Sequence, residues 1–185
     1  MPEKRGPLDE EQAPLLEVRG VTKRFPGVLA LDQVRFDLRA GEIHALVGEN
    51  GAGKSTLMKI LAGAYRPDAG QILLQGQPVA LTSPRQAADL GISIIYQEFT
   101  LLPALSVAEN IFLSHLPGQG RYGWLNRREM LQAARHLLDR VGLDVDPAVP
   151  VRRLRVAQQQ LVEVAKALSR QARVLIMDEP TAALT

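Results

Sequence analysis

The chain has 185 residues, of which 46% are hydrophobic and 23% are charged, a composition typical of a globular domain that buries a core. The 22 basic and 20 acidic residues leave a net charge of +2, and their scatter along the sequence argues against a nucleic-acid partner. The chain has no cysteine, no apolar run of the ~18 residues that cross a bilayer, and no secretion signal at its N-terminus, so we expect a cytoplasmic protein without disulfides or thiolate metal sites.

The first part of the chain predicts a tail followed by strands. Residues 1–13 are polar, charged and contain prolines, so we expect them to be disordered and the ordered domain to span 14–185. Alternation of apolar and polar residues over 15–25 and 34–39 predicts two strands with one buried face each. The continuous apolar run Ile43–Val47 predicts a further strand that is covered on both faces.

The strongest functional signal follows this run. Residues 48–56, GENGAGKST, fit the pattern GxxxxGK[ST], in which glycines let backbone N–H groups turn inward around a phosphate chain. A helix that begins there adds N–H donors and a positive dipole end, while Lys54 can reach the β- and γ-phosphates and Ser55 can bind Mg²⁺. A plain glycine-rich turn before a helix is the alternative. The candidate nucleotide-binding residues are Gly48, Asn50, Gly51, Ala52, Gly53, Lys54, Ser55 and Thr56.

The elements after this loop alternate between helix and strand. We predict, in chain order, a helix continuing over 57–64, a strand over 71–75, a short helix over 85–89 and a buried strand over 92–96. Ser83 and Pro84 provide the N-cap and the first position of the short helix.

From Gln97 to about Leu168 the apolar residues follow helical spacing, which predicts a helical subdomain, residues 98–168, inserted in the core. The apolar run Val174–Met177 then predicts a buried strand. We expect three helices, each with one buried face. The first face comprises Val107, Ile111 and Phe112. The second comprises Met130, Ala134, Leu137, Leu138 and Val141, with Gly142 as the C-terminal cap, and the third comprises Leu161, Val164, Ala165 and Leu168.

Two adjacent carboxylates, Asp178 and Glu179, follow this last strand. An acid at the carboxyl end of an apolar strand can hold Mg²⁺, and here that residue is Asp178. Glu179 can then orient, or take a proton from, the water that attacks the γ-phosphate. Alone, the pair fits a strand-ending turn equally well, but the phosphate loop upstream favours catalysis.

Taken together, five segments resemble the nucleotide-binding domain of ABC transporters. They are VTKRF, GENGAGKSTLMKILAG, IIYQE, LRVAQQQLVEVAKAL and VLIMDEPTAALT, and the resemblance covers about Leu15–Thr185. Within this family the chain is similar to the first ATPase half of the tandem ATP-binding subunits of bacterial monosaccharide importers of the ribose, xylose and galactose type. The resemblance implies an α/β P-loop NTPase fold with an N-terminal antiparallel β layer, a parallel core sheet and a helical subdomain.

The resemblance also implies roles for residues outside the phosphate loop. Phe25 would stack on adenine, although a core phenylalanine at a strand end fits as well. Gln97 would contact Mg²⁺ and the attacking water, although a polar residue that simply caps its strand fits as well. The implied metal ligands are Ser55, Gln97 and Asp178. The implied catalytic residues are Glu179 and Gln97. The signature that faces the ATP of a second ATPase half would be Leu154, Arg155, Val156, Ala157 and Gln158.

The chain departs from the family pattern in two places. In the signature, usually LSGGQ, Arg155 replaces a hydroxyl residue and Ala157 replaces a glycine, so we expect the partner's ATP site to be impaired unless the guanidinium contacts phosphate itself. The chain also stops at Thr185, before the strand that carries the family's switch histidine. We therefore expect a truncated product or fragment that is incomplete at its C-terminus.

We expect an ATPase that uses ATP and Mg²⁺ to drive monosaccharide import at the cytoplasmic face of the bacterial inner membrane. The expected partners are transmembrane permease subunits, a second ATPase half that completes a nucleotide sandwich dimer and, indirectly, a periplasmic sugar-binding protein. The alternatives are a nucleoside or autoinducer importer, a soluble ABC ATPase of translation or DNA repair, and a nucleotide-binding module without turnover.

Overall fold

The structure, a computed structural model, describes residues 13–96, 100–113 and 126–178. The chain divides into two compact units, residues 1–87 and 88–185. The expected tail lies almost wholly outside the described residues, and the insertion of a helical subdomain over 98–168 stays a prediction. In chain order, the elements are β1 (Leu16–Phe25), β2 (Val28–Leu38), α1 (Lys54–Leu61), β3 (Ala69–Leu74), β4 (Gln77–Val79), α2 (Pro84–Asp89), β5 (Ile92–Ile95), α3 (Val107–Ile111), α4 (Arg127–Arg140), α5 (Val156–Ser169) and β6 (Val174–Met177).

The first unit is built on an antiparallel sheet with the strand order β2-β1-β3-β4. The predicted strands over 15–25, 34–39 and 71–75 are confirmed, although β2 begins at Val28, six residues earlier than expected. β4 was missed by the sequence reasoning. Its signal was the two-residue turn Gln75–Gly76, where both residues have positive φ, as tight hairpins require. The main buried side chains of this unit are Leu16, Val18, Val21, Leu31, Leu57, Ile60, Leu61, Ile72, Leu73 and Leu81.

The predicted buried strand over Ile43–Val47 is wrong. This run forms no strand, and the side chains of Ile43 and Val47 are 100% and 88% exposed. A strand that is covered on both faces needs neighbours that accept its backbone hydrogen bonds. Within the part of the chain that the structure describes, no strand pairs with this run, so its apolar side chains have nothing to bury them.

The end of α1 also differs from the prediction, because the helix stops at Leu61 rather than Ala64. Gly63 has a φ of 73°, and its N–H donates to the carbonyl of Ile60 while the N–H of Ala64 donates to the carbonyl of Lys59. This pair of bonds is the Schellman ending, which a glycine with positive φ permits. The glycine was the signal in the sequence that marked this end.

The described part of the second unit combines the parallel pair β5–β6 with the helices α3, α4 and α5. The strands pair from Ile92–Val174 to Ile95–Met177. The predicted faces of α3 and α4 are confirmed, except that Val141 is half-buried beside the core, and α4 ends before Gly142 as expected. The buried side chains of this core are Leu101, Val107, Ala108, Ile111, Phe112, Met130, Ala134, Leu137, Leu138, Leu143, Val151, Val162 and Ala165.

The prediction for α5 is right about the helix and partly wrong about its buried face. Ala165 is fully buried as predicted, and so is Val162, which was not predicted. The other predicted residues, Leu161, Val164 and Leu168, are only half-buried. The helix packs against β5 on one side and against α3 and α4 on another, so its covered surface is wider than a single apolar stripe.

Among the described residues, no helix is both long and apolar enough to cross a bilayer.

The strands of the parallel pair are less buried than predicted. Ile92 and Val174 are buried, Met177 is 41% exposed, and the remaining residues of both strands are half-buried. Within the described ranges the sheet has only these two strands, so each strand has one edge without a β neighbour. The apolar runs predicted the positions of the two strands correctly but overestimated how deeply their side chains are buried.

Candidate nucleotide-binding site

The phosphate loop predicted from the sequence leads directly into α1, which begins at Lys54. Gly51 and Gly53 both have a φ of 87°, and the N–H of Ala52 donates to the carbonyl of Glu49 at 3.1 Å. Positive φ values at two alternate positions let a short loop direct several N–H groups toward one ligand. The local backbone therefore has the conformation that the motif predicts.

Gly53 is also required by its surroundings. A Cβ built on this residue would lie 2.7 Å from Cδ2 of Leu31 and would overlap the carbonyl oxygen of Ala30. Both neighbours belong to β2, which thus lies directly against the loop. A Cβ on Gly51, in contrast, would have no atom within 4 Å, so the two glycines serve different purposes.

The start of α1 is suited to bind an anion. The helix has no side-chain cap and no acidic residue in its first turn, and its first backbone bond runs from the N–H of Leu57 to the carbonyl of Gly53 at 2.9 Å. Within the described residues, the N–H groups of Lys54, Ser55 and Thr56 donate to no protein acceptor. Free donors at the positive end of a helix attract phosphate.

The side chain of Lys54 folds back over the loop. Its ammonium group donates to the carbonyl oxygens of Gly48 at 2.5 Å and of Glu49 at 2.8 Å. The positive charge is therefore held above the same residues whose backbone forms the loop. Ser55 is exposed at the helix start, where its hydroxyl is accessible to a ligand.

Phe25 lies at the end of β1, where its half-buried ring meets the ring of Tyr65 edge to face, with the centroids 5.4 Å apart. The ammonium of Lys23 lies 5.5 Å from the centroid of the Phe25 ring. Stacking of Phe25 on adenine stays a prediction. Tyr65 was missed by the sequence reasoning, and its signal was an aromatic residue just beyond the glycine that ends α1.

Asp68 fixes this corner of the first unit. Its carboxylate accepts a hydrogen bond from Nζ of Lys23 at 2.8 Å and another from the N–H of Arg24 at 2.6 Å. Both bonds lower the pKa of Asp68 below its usual value, and the bond from Lys23 has the larger effect. The loop after α1 is thereby tied to the end of β1, next to Phe25.

The predicted carboxylate of the second unit is at the expected place. Asp178 follows β6, and its N–H donates to the carbonyl of Ile95 at 3.1 Å. Because β5 and β6 are parallel and Ile95 pairs with Met177, β5 ends at the same edge of the sheet at which Asp178 follows β6. Gln97 and Glu179 lie outside the described residues, so the joint site of Ser55, Gln97 and Asp178 stays a prediction. In the described ranges, no cluster of three or more acidic or histidine side chains could hold a metal by itself.

The predicted signature residues 154–158 form the start of α5, after a 3₁₀ turn at Val151–Arg153. Arg155 is the N-cap residue, with φ −70° and ψ 158°. A guanidinium group has no acceptor, so it cannot bind the helix N–H groups as a serine hydroxyl would. One bond caps the helix instead, from the N–H of Arg155 to the side-chain oxygen of Gln158 at 2.9 Å. Arg155, Val156 and Ala157 are all exposed.

Comparison with known proteins identifies the class to which this fold and loop belong. The family model for ABC transporters matches residues 31–182, and the chain therefore belongs to the ABC transporter family, in which such domains bind nucleotide. Among solved structures, CbiO1 from Clostridium perfringens, part of the ABC transporter complex CbiONQ, is 28% identical with a TM-score of 0.77 and covers 94% of this chain and 68% of its own. The predicted family and the α/β P-loop NTPase fold are thus confirmed.

Sequence relatives show which members of the family this chain is similar to. The chain is 62% identical over 172 residues to the ribose import ATP-binding protein RbsA 1 of Rubrobacter xylanophilus, a match that covers 93% of this chain and 34% of the relative. It is 58% identical over 171 residues to the ribose import ATP-binding protein RbsA 2 of Streptomyces coelicolor, covering 92% of this chain and 33% of the relative. The chain spans about a third of the length of these curated relatives.

Proposed function

We propose that this chain is an ATP-binding domain of a sugar importer subunit, and that the full-length protein hydrolyses ATP to drive uptake of a monosaccharide such as ribose. The observation that carries the proposal is the phosphate loop, with its free N–H groups and its inward Lys54. The sugar specificity rests on the identities to two ribose import ATP-binding proteins.

Binding of ATP would use groups that are already placed in the loop. The N–H groups of Lys54, Ser55 and Thr56 would donate to phosphate oxygens, and the ammonium of Lys54 would exchange its two carbonyl acceptors for the β- and γ-phosphates. A charged acceptor forms the stronger hydrogen bond, so this exchange favours the bound state. Phe25 would contact the adenine.

The residues present fit Mg²⁺, because a hydroxyl, an amide oxygen and a carboxylate are the hard oxygen ligands that this ion prefers. Ser55, Gln97 and Asp178 would hold it. When bound, the ion would neutralise charge that develops on the phosphates. Glu179 would orient the attacking water or take its proton, and Gln97 would help to hold that water.

We propose that the signature of this chain makes the two ATP sites of the working dimer unequal. Arg155 stands where the family has a hydroxyl group, and Ala157 adds a side chain where the family has none. Both residues are exposed at the start of α5, available to a facing subunit. The impaired site would be that of the second ATPase half, whereas the loop of this chain would remain functional.

The proposed partners follow from the same importer role. A second ATPase half would complete the nucleotide sandwich, transmembrane permease subunits would receive the closing motion, and a periplasmic binding protein would deliver the sugar. The protein would then work at the cytoplasmic face of the inner membrane. The names of the relatives, which describe import ATP-binding proteins, support this assembly.

The test compares two lysines of the same helix in the full-length protein. Lys54→Ala removes the ammonium from the loop, whereas Lys59→Ala removes an ammonium that lies 5.7 Å from the centroid of the Tyr65 ring. The affinity for a fluorescent ATP analogue with Mg²⁺ should fall by about tenfold or more in the first variant, as expected for loss of hydrogen bonds to charged groups. Equal affinities in the two variants would contradict the site.

Transport is tested separately. A strain that lacks the chromosomal subunit should regain uptake of radiolabelled ribose when it carries the wild-type gene with its permease, and should not when it carries Lys54→Ala. Uptake of nucleosides instead of ribose would contradict the sugar assignment and would still be consistent with the proposed ATP site.

A further inference from the structure

The rings of Phe25 and Tyr65 meet where two segments of the first unit come together. Phe25 is the last residue of β1, and Tyr65 lies just beyond the end of α1. The planes of the two rings are inclined at 70°. Aromatic pairs favour this edge-to-face arrangement, because the positive edge of one ring meets the negative face of the other. The contact is therefore attractive beyond the apolar area that it buries.

The backbone around Tyr65 is anchored to two elements. The N–H of Tyr65 donates to the carbonyl of Lys59, in the last turn of α1, at 3.2 Å. Further along the same segment, the N–H of Asp68 donates to the carbonyl of Thr22 at 2.9 Å, and the carboxylate of Asp68 accepts two more bonds from β1. The position of the Tyr65 ring is thus set by α1 and β1 together.

Phe25, in contrast, lies at an exposed strand end. It pairs with Val28 across the two-residue turn that joins β1 to β2. Its neighbours in this hairpin, Pro26, Gly27 and Val28, are all exposed, so they offer its ring little cover. The contact with the anchored ring of Tyr65 therefore contributes directly to restraining the ring of Phe25.

The same ring is close to the phosphate loop. Gly53 of the loop lies against Ala30 of β2, and Ala30 is separated from Val28, the pairing partner of Phe25, by about 7 Å along the strand. On its other side, the loop leads into α1, whose eight residues span about 12 Å and end next to the segment of Tyr65. The phosphate loop and the pair of rings are thus connected through both β2 and α1.

We propose that Tyr65 is a positioning residue for base recognition, whose ring holds the ring of Phe25 in the orientation that stacks on adenine. This inference rests on the proposed function, because a ring can be positioned for a base only if the loop binds a nucleotide. Tyr65 acts through Phe25 and not on the nucleotide itself. A ring that is already restrained loses less rotamer freedom when the base arrives, and this ordering opposes binding. Loss of the Tyr65 ring should therefore weaken binding of the base and leave binding of the phosphates unchanged.

The test uses a matched pair of variants in the full-length protein. Tyr65→Leu removes the aromatic ring and keeps an apolar side chain, whereas Tyr65→Phe keeps the ring and removes only the hydroxyl. The affinities for ATP and for inorganic tripolyphosphate, which has no base, are measured by calorimetry in EDTA. Because the variants differ only within this domain, the differences between them report its own site.

The expected results separate the base from the phosphates. The Kd for ATP should rise by about fivefold in Tyr65→Leu, which corresponds to the energy of one aromatic pair. The Kd for tripolyphosphate should remain that of wild type. Tyr65→Phe should resemble wild type with both ligands, because the edge-to-face contact uses the ring and not the hydroxyl.

Two further measurements separate positioning from a loss of structure. Phe25→Leu should weaken ATP binding, and adding Tyr65→Leu should weaken it no further, because Tyr65 then has no ring to hold; a double-mutant cycle measures this coupling. In steady-state hydrolysis with Mg²⁺, Tyr65→Leu should raise the KM for ATP and leave kcat unchanged, since a contact with the base is the same in the ground state and the transition state.

The outcomes are distinguishable. Equal ATP affinities in Tyr65→Leu and Tyr65→Phe overturn the inference and leave the proposed function intact. Additive losses in the double variant also overturn it, because Tyr65 then acts independently of Phe25. A parallel loss of tripolyphosphate affinity or of kcat in Tyr65→Leu overturns it as well, because the residue then only supports the fold. A wild-type protein that binds neither ATP nor tripolyphosphate refutes the proposed function and, with it, the inference.

Discussion

Gly53→Ala is the substitution whose effect follows most directly from the geometry of the phosphate loop. The left-handed conformation at φ 87° destabilises a residue with a Cβ by about 1–2 kcal/mol. The new Cβ would also press on Leu31 and Ala30 of β2, and overpacking of this kind adds about 1–3 kcal/mol. The free energy of unfolding should therefore fall by about 2–5 kcal/mol.

Gly51→Ala is the matched control, because this glycine has the same φ and a Cβ added there would meet no atom within 4 Å. Only the backbone strain of about 1–2 kcal/mol applies there. Thermal unfolding of the full-length protein without nucleotide measures the difference, since 1 kcal/mol corresponds to roughly 2–4 °C for a domain of this size. Gly53→Ala should shift the first transition several degrees further than Gly51→Ala. Equal shifts would show that β2 does not restrict the loop.

Three further predictions concern the signature, a helix cap and the metal site. Arg155→Ser should raise ATP turnover of the full-length protein in a phosphate-release assay, and no change would contradict the asymmetric sites. At the start of α3, the hydroxyl and the N–H of the N-cap residue Ser106 donate to the carboxylate of Glu109, and these bonds, the one from the hydroxyl first, lower its pKa. The carboxylate therefore stabilises the fold above its unfolded pKa, and this contribution is lost as pH falls through the lower folded value. Thermal melts below pH 5 should show a steeper loss of stability in wild type than in Glu109→Gln. Asp178→Asn should raise the half-saturating Mg²⁺ concentration for hydrolysis by about tenfold or more, whereas nucleotide affinity in EDTA should remain unchanged.

The features that could be predicted from the sequence are those encoded by contiguous residues. The phosphate loop is one, because its glycines, Lys54 and Ser55 are adjacent and each has its chemistry at a fixed spacing. The buried faces of α3 and α4 are another, since helical periodicity reports which side of a helix is apolar. The position of Asp178 after β6 followed in the same way from an apolar run that ends in an acid.

The features that were missed depend on residues far apart in the chain. Ile43–Val47 has the composition of a buried strand, but burial requires pairing partners that the run itself does not encode. Glu163, whose buried carboxylate accepts hydrogen bonds from Thr100, looked like an ordinary position of an amphipathic helix, because this partner is 63 residues away. The end of α1 was different, since Gly63 was visible as a local signal and was outweighed by the apolar residues on either side.

The hydrogen bonds from Lys54 to its own loop have a consequence for selectivity. An ammonium that already has two carbonyl acceptors gains little from a monovalent anion such as chloride, which would have to displace both and would leave most of the N–H donors unused. A polyphosphate offers several charged oxygens at once and replaces every internal contact that it breaks. If the loop binds ATP as proposed, these internal bonds would therefore favour a ligand with several negative charges over small monovalent anions.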